Sequence, residues 1–219
     1  MTNTQIKRED TIDLAEFQGM IARGNTLKYP HQYYRLRDLA IICILRKTGK
    51  RRVELTRIKR AHITVIDNHM VITFYVAKKR TNNPLGQRRE KKISLADTFV
   101  KPIQDYIAWL DENEPNGEYL FPHTSYSPFG NRLHIDNSKP TDGRTLLRSV
   151  KKLNPNAWCH LFRESVAADI IRRDPSILAV FRVKKRLDLE SHLTAFKYME
   201  RFASDVIESE GDEDTIESA

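Results

Sequence analysis

His160 and Arg163 stand three residues apart in the stretch AWCHLFRES, a spacing that puts both on one face of a helix. Together they offer an imidazole that can exchange a proton near neutral pH and a planar guanidinium that can grip an anion. The pair alone decides nothing, because H-x-x-R arises by chance in many chains, so its partners must come from elsewhere. One candidate lies in KTGKRRVEL, Lys47 to Leu55, where Gly49 can end one helix and Arg51 follows where the next begins. Backbone N–H groups at a helix start point outwards and favour anions, and an arginine there adds a donor fork matched to phosphate oxygens. Surface arginines after a turn are an equal reading of that segment by itself.

Composition narrows the field. The 219 residues are 40% hydrophobic and 30% charged, ample for one sizeable core. The densest apolar run, LAIICIL, stops after seven residues, far short of the ~20 that span a bilayer. The N-terminus MTNTQIKRED has no hydrophobic leader core, and Cys43 and Cys159 make no disulfide framework, so a reduced, cytoplasmic setting is expected. The net charge is +8, but the last fifteen residues hold seven acids and no base. Without them 37 bases face 22 acids, a net +15. A body that basic is the footprint of a nucleic-acid binder, because neutralising phosphates releases counterions.

The elements that would position these residues are mostly helical. Thr11 can cap a helix to about Ala22 with Leu14, Phe17, Met20 and Ile21 on one side. A second helix runs from about His31 to Lys47, with Pro30 in its first turn and Gly49 as its stop. A short helix follows over Arg52–Lys59. The period then changes: HITVIDNHMVITFYVAKK reads as two strands turning near Asp67 and Asn68, and KKISL as a third. RTNNPLGQRRE is a long basic turn. Ser94 and Asp97 resemble a capping box opening a helix to about Glu112. Residues 123–140 read as a loop too long for a plain connector. Helices return at Thr141–Lys152, His160–Arg172, Pro175–Lys185 and Leu193–Glu208. The expected class is α+β, mainly helical, with a small three-stranded antiparallel sheet.

At this point a resemblance becomes specific. TGKRRVEL resembles the T-G-x-R-x-x-E-L box of the tyrosine recombinases, or phage integrase family, and HLFR resembles its H-x-L-R box. RLDLESHLTAFKYMER is similar to its L-G-H-x-x-x-x-T-x-x-x-Y box, with Leu187, Ser191, Thr194 and Tyr198 falling in register. FYVAKK…RREKKISL lies where that family places a β-hairpin with an active-site lysine. The boxes keep the family's order, with 112 residues from Arg51 to Arg163 and 35 from Arg163 to Tyr198. The resemblance covers about Arg8 to Phe202 and implies a tyrosine recombinase catalytic-domain fold.

It also implies a chemistry and a cast. A DNA strand is broken without water or metal by an oxygen nucleophile that stays attached to the phosphate, here Tyr198, in a 3′-phosphotyrosine intermediate. Arg51 and Arg163 would clamp the extra charge of the transition state. His160 would take the tyrosine's proton or hydrogen-bond the phosphate, and Lys78 or Lys79 would be the general acid for the departing 5′ oxygen. Glu54 would orient an arginine. No cofactor or metal is implied, and no carboxylate or histidine cluster has ligand spacing. The expected partners are double-stranded DNA and further copies of the chain, joined as a dimer or tetramer by an apolar stripe of Leu193, Phe196, Met199, Phe202 and Val206. No membrane is involved.

The chain departs from the family in three places. Leu189 stands nine residues before the tyrosine, where the family has histidine or tryptophan, and His192 is the nearest substitute. Asp188 replaces the glycine of the third box. The Arg163–Tyr198 interval is a few residues longer than the family's pattern leads one to expect. A single catalytic domain over residues 1–219 is expected, folded from about 8 to 207, with flexible ends at 1–7 and 208–219 and without an N-terminal core-binding domain. Function is then site-specific recombination or integration, in the cytoplasm or in the host cell of a mobile element. A type IB topoisomerase-like enzyme and a degenerate DNA-binding regulator are the alternatives.

Overall fold

An unbroken apolar run such as Ile41 to Leu45 is fully buried only in a helix that others surround. In the computed structural model, which describes residues 11–76, 87–127 and 132–211, that run is the middle of α2 (Gln32–Thr48). Around it lie α1 (Leu14–Thr26), α4 (Lys101–Asn113), α5 (Gly143–Leu153) and α6 (Cys159–Arg173). The short α3 (Arg52–Thr56) follows α2, and α7 (Ile177–Leu187) and α8 (His192–Gly211) pack against α6. A first core cluster gathers on α2, and a second joins α6, α7 and α8 through Val166, Ile171, Val180, Val183 and Phe202.

The expected sheet is present. β1 (Ile63–Ile66), β2 (His69–Val76) and β3 (Gln87–Ser94) are antiparallel in the order β1-β2-β3. Asp67 and Asn68 turn between β1 and β2 with φ of 46° and 60°, the left-handed pair a two-residue hairpin requires. Gly49 ends α2 in the left-handed conformation, φ 62°, as its position suggested.

Four expectations need correction. Asp13, not Thr11, caps α1: its carboxylate accepts the Glu16 N–H at 2.7 Å. The chain at residue 12 is used elsewhere, the Ile12 N–H donating to Ser165 Oγ at 2.7 Å. Ser94 and Asp97 shape turns rather than a helix start, and α4 begins only at Lys101, after Phe99 has packed edge-on against Phe17 at 4.9 Å. Residues 123–140 are not a loop but mostly a second antiparallel ribbon, β4 (Pro122–Ser127) with β5 (Arg132–Pro140). Leu133 and Ile135 of β5 are apolar at alternate positions and rest on the main core, which is why the segment takes a strand period. Finally, Gln87 to Glu90 of the supposed basic turn belong to β3. Residues 80–86 of that turn lie outside the described residues.

Phe17 ties α1 to the helix that carries His160. Its ring is buried and meets Phe162 of α6 edge-on at 6.2 Å. Phe17→Ala should cost about 3–5 kcal/mol of stability, read as a shift of the urea unfolding midpoint at constant slope.

Candidate active site

Arg163 is the largest fully buried side chain, 1% exposed, and a buried guanidinium must find acceptors. It finds them in two chain turns. Nη1 donates to the Gly49 carbonyl at 2.7 Å and Nη2 to the Leu187 carbonyl at 2.6 Å. These are the residues that end α2 and α7, so the fork joins the arginine turn to the segment leading into α8. Arg186 adds a parallel link by donating to the Lys47 carbonyl.

Arg51 starts α3 on the other side of that turn. Its backbone N–H donates to Glu54 Oε2 at 2.8 Å, and the buried Glu54 carboxylate also stands 3.8 Å from Arg51 Nη1. The guanidinium itself remains exposed, over a groove of about 840 Å³ lined also by Arg89, Lys184, Asp188 and Thr194. Arg52, the neighbouring arginine, lies instead against Gly143 of α5.

Tyr198 stands half-buried on α8, its ring stacked near Phe202 at 6.4 Å. Ala195 and Phe202 on the same helix are buried against α6 and α7. That packing brings the phenol within electrostatic reach of the Arg163 guanidinium. Burial, and next the charge of Arg51, draw the Arg163 guanidinium below the ordinary arginine range, while Tyr198 and Glu54 oppose them. Arg51 and Tyr198 are therefore both within electrostatic reach of Arg163.

His160 occupies the first turn of α6, mostly exposed, with Nε2 3.3 Å from Glu164 Oε1. Burial of one side holds its imidazole below the usual histidine value; Glu164 opposes this, and Arg163, Arg51 and Arg201 add to it. It shares a second cavity with Arg51, Arg52 and the exposed Trp158. Glu164 also accepts Arg201 Nη1 at 2.7 Å. The sequence reading passed over this bridge, although Glu164 directly follows Arg163 and Arg201 lies one turn beyond Tyr198.

The remaining candidates divide. Lys78 and Lys79 fall outside the described residues. Leu189 is buried in the second core cluster, so the position brings no ring nitrogen to the site. His192 faces α7, its ring 5.3 Å from Phe181 and 3.2 Å from Lys184 Nζ, and does not replace it. The stripe on α8 is split: Phe202 is buried and Met199 packs on the same cluster, whereas Leu193 and Phe196 are exposed. The Val206 side chain lies outside the described residues. Among the described residues no group of three or more histidine, cysteine or acidic side chains could hold a metal ion, and no helix is long and apolar enough to cross a membrane.

Comparison with known proteins bears on the fold. The chain resembles the solved structure of XerH site-specific recombinase bound to difH substrate in a pre-cleavage complex. The TM-score is 0.64 at 15% identity, over 86% of this chain and 49% of that one. XerA recombinase gives 0.58 at 18% identity over 86% of this chain and 59% of that one. A lambda integrase dimer bound to a COC′ core site gives 0.52 at 13% identity over 86% and 47%. The chain thus spans between 47% and 59% of those three proteins. None of the curated proteins matches it. The phage integrase family matches residues 24–183, most of the chain and two of its three sequence boxes. This protein therefore belongs to the phage integrase family and has the fold of a tyrosine recombinase catalytic domain.

Proposed function

We propose that the chain breaks and rejoins duplex DNA through Tyr198, as the catalytic part of a site-specific recombinase or integrase. The observation that carries this is the placing of Tyr198 within electrostatic reach of the buried Arg163 guanidinium, with Arg51 exposed over the adjoining groove. The phenol oxygen would attack the scissile phosphorus, forming the 3′-phosphotyrosine bond while the bond to the 5′ oxygen breaks. Arg51 and Arg163 would stabilise the charge on the non-bridging oxygens. His160, kept neutral by its surroundings, would accept the phenol proton. Lys78 or Lys79 would return a proton to the departing oxygen. No step calls for a metal or a cofactor. Because Tyr198 meets an arginine of its own chain, attack within one subunit is favoured over attack on a neighbour's phosphate.

Assembly as a dimer or tetramer on DNA is part of the same reading, as is a home on a mobile element. The exposed Leu193 and Phe196 at the start of α8 offer an apolar surface for a neighbouring copy. The second reading, a DNA-binding regulator without turnover, is favoured by one observation: Leu189 is apolar and buried where relatives have a donor.

A pool of nicked suicide duplexes with a randomised centre separates the two readings, because cleavage traps the protein covalently on its preferred sequence. Wild type should yield an adduct resistant to denaturation. Retardation without adduct would establish the binder. On the recovered duplex, Tyr198→Phe should bind with unchanged affinity and form no adduct. Persistence of the adduct would mean that another residue attacks. Arg51→Ala should slow single-turnover cleavage by about 10²–10³, measured by adduct formation at saturating duplex.

The pH profile follows from His160. With its pKa held below the ordinary ~6.5, the imidazole stays a proton acceptor through neutrality and loses that capacity only on further acidification. The cleavage rate should therefore be level near pH 7 and fall below the ordinary histidine range. An acid limb centred above ~6.5 would exclude His160 as the base.

A further inference from the structure

Asp188 sits where the protein family to which this chain belongs places glycine, and its backbone explains that choice: φ and ψ are both 49°, a conformation that side chains other than glycine, asparagine and aspartate seldom adopt. A strained backbone held by a charged residue calls for a use of the charge. The carboxylate has one. Oδ2 accepts Lys50 Nζ at 2.7 Å and stands 3.0 Å from Lys91 Nζ, while Oδ1 lies 3.9 Å from Arg89 Nε. Lys50 is 1% exposed, its ammonium also over the Phe74 ring at 4.8 Å. Lys91 takes an inward position on β3, two residues before the buried Ile93.

The three partners come from separate elements. Lys50 immediately precedes Arg51 in the turn after α2. Lys91 and Arg89 belong to β3. Asp188 ends α7 four residues before α8 begins. The contact also repeats, one residue further along both chains, the link made by Arg163, which holds the carbonyls of Gly49 and Leu187. Burial opposes the Asp188 charge, but Lys50 and Lys91 outweigh it and keep the carboxyl below its ordinary range. Burial also draws the Lys91 ammonium down to about 8 despite the carboxylate beside it. Both lysines are buried, so their office is internal.

We propose that Asp188 is a positioning residue for strand cleavage: through Lys50 and Lys91 it fixes the Arg51 turn, strand β3 and the approach to the Tyr198 helix relative to one another. This rests on the strand-transfer reading above. A side chain that only stabilises the fold would alter melting and leave the rate of a folded enzyme alone. One that positions the site lowers the chemical step while DNA affinity holds.

Asp188→Asn keeps the shape and the tolerance of the left-handed turn and removes the charge. On the suicide duplex recovered with wild type, at a temperature well below the variant's melting point, its single-turnover adduct rate should fall tenfold or more, with the Kd for duplex within threefold. A rate within twofold of wild type overturns the proposal, and so does a loss confined to affinity. Should Asp188→Asn fail to fold, Lys91→Met leaves the carboxylate paired with Lys50. Its adduct rate should drop at least threefold at unchanged affinity, and an unchanged rate overturns the proposal. If wild type itself forms no adduct while binding duplex, the strand-transfer reading fails and takes this one with it.

Discussion

A guanidinium shut away from water cannot be left without acceptors, and in this molecule that requirement falls on the side chain of Arg163. Its two terminal nitrogens are satisfied by carbonyls that lie far apart in the chain, Gly49 and Leu187. Neither carbonyl is available by chance. Each belongs to the end of a helix, where backbone oxygens lose their intrahelical donors. The end of α2 must therefore meet the end of α7 over α6, and Arg51 on one side and Tyr198 on the other inherit fixed places. Removing the fork would orphan two buried oxygens as well as a charge, so the contact specifies geometry more than it adds stability.

The same economy explains the mix of burial around the site. Arg163 is enclosed and Arg51 open, although both are arginines of one constellation. Glu54 accounts for part of the difference, because it takes the Arg51 backbone N–H and leaves the guanidinium at the surface. An enclosed cation anchors, and an exposed cation greets an anion arriving from solvent. The groove beneath Arg51 is basic at its rim through Arg89, Lys184 and Lys185, in keeping with the surplus of positive charge in the sequence.

Much of this was legible before any coordinates. The helix periods and the Gly49 stop placed α2, α6 and α7 within a residue or two and α8 within three, and the Asp67–Asn68 turn set the register of β1 against β2. The boxes singled out Arg51, His160, Arg163 and Tyr198; Arg51 and His160 line one cavity, and Arg163 lies in electrostatic reach of Arg51 and Tyr198. What escaped were contacts that depend on tertiary packing. Leu133 and Ile135 turn a polar stretch into a ribbon only because a core lies beneath them. Ser94 and Asp97 carry capping residues, yet the demand that Phe99 meet Phe17 delays the helix. Lys91 reads as a surface lysine until the alternation of β3 turns it inwards. Glu164 was passed over and Asp188 looked like a departure from a pattern, and their value emerges only with Arg201, Lys50 and Lys91 beside them.

One modest contact reaches further than its size suggests. The Ile12 N–H bonded to Ser165 Oγ, with the Ser165 hydroxyl donating in turn to Leu161, moors the front of the chain to the helix of His160. Any load pulling ahead of Ile12, such as a tether drawn taut by a bound duplex, would be felt first at the imidazole's own helix, as tension on a rope is felt at its cleat.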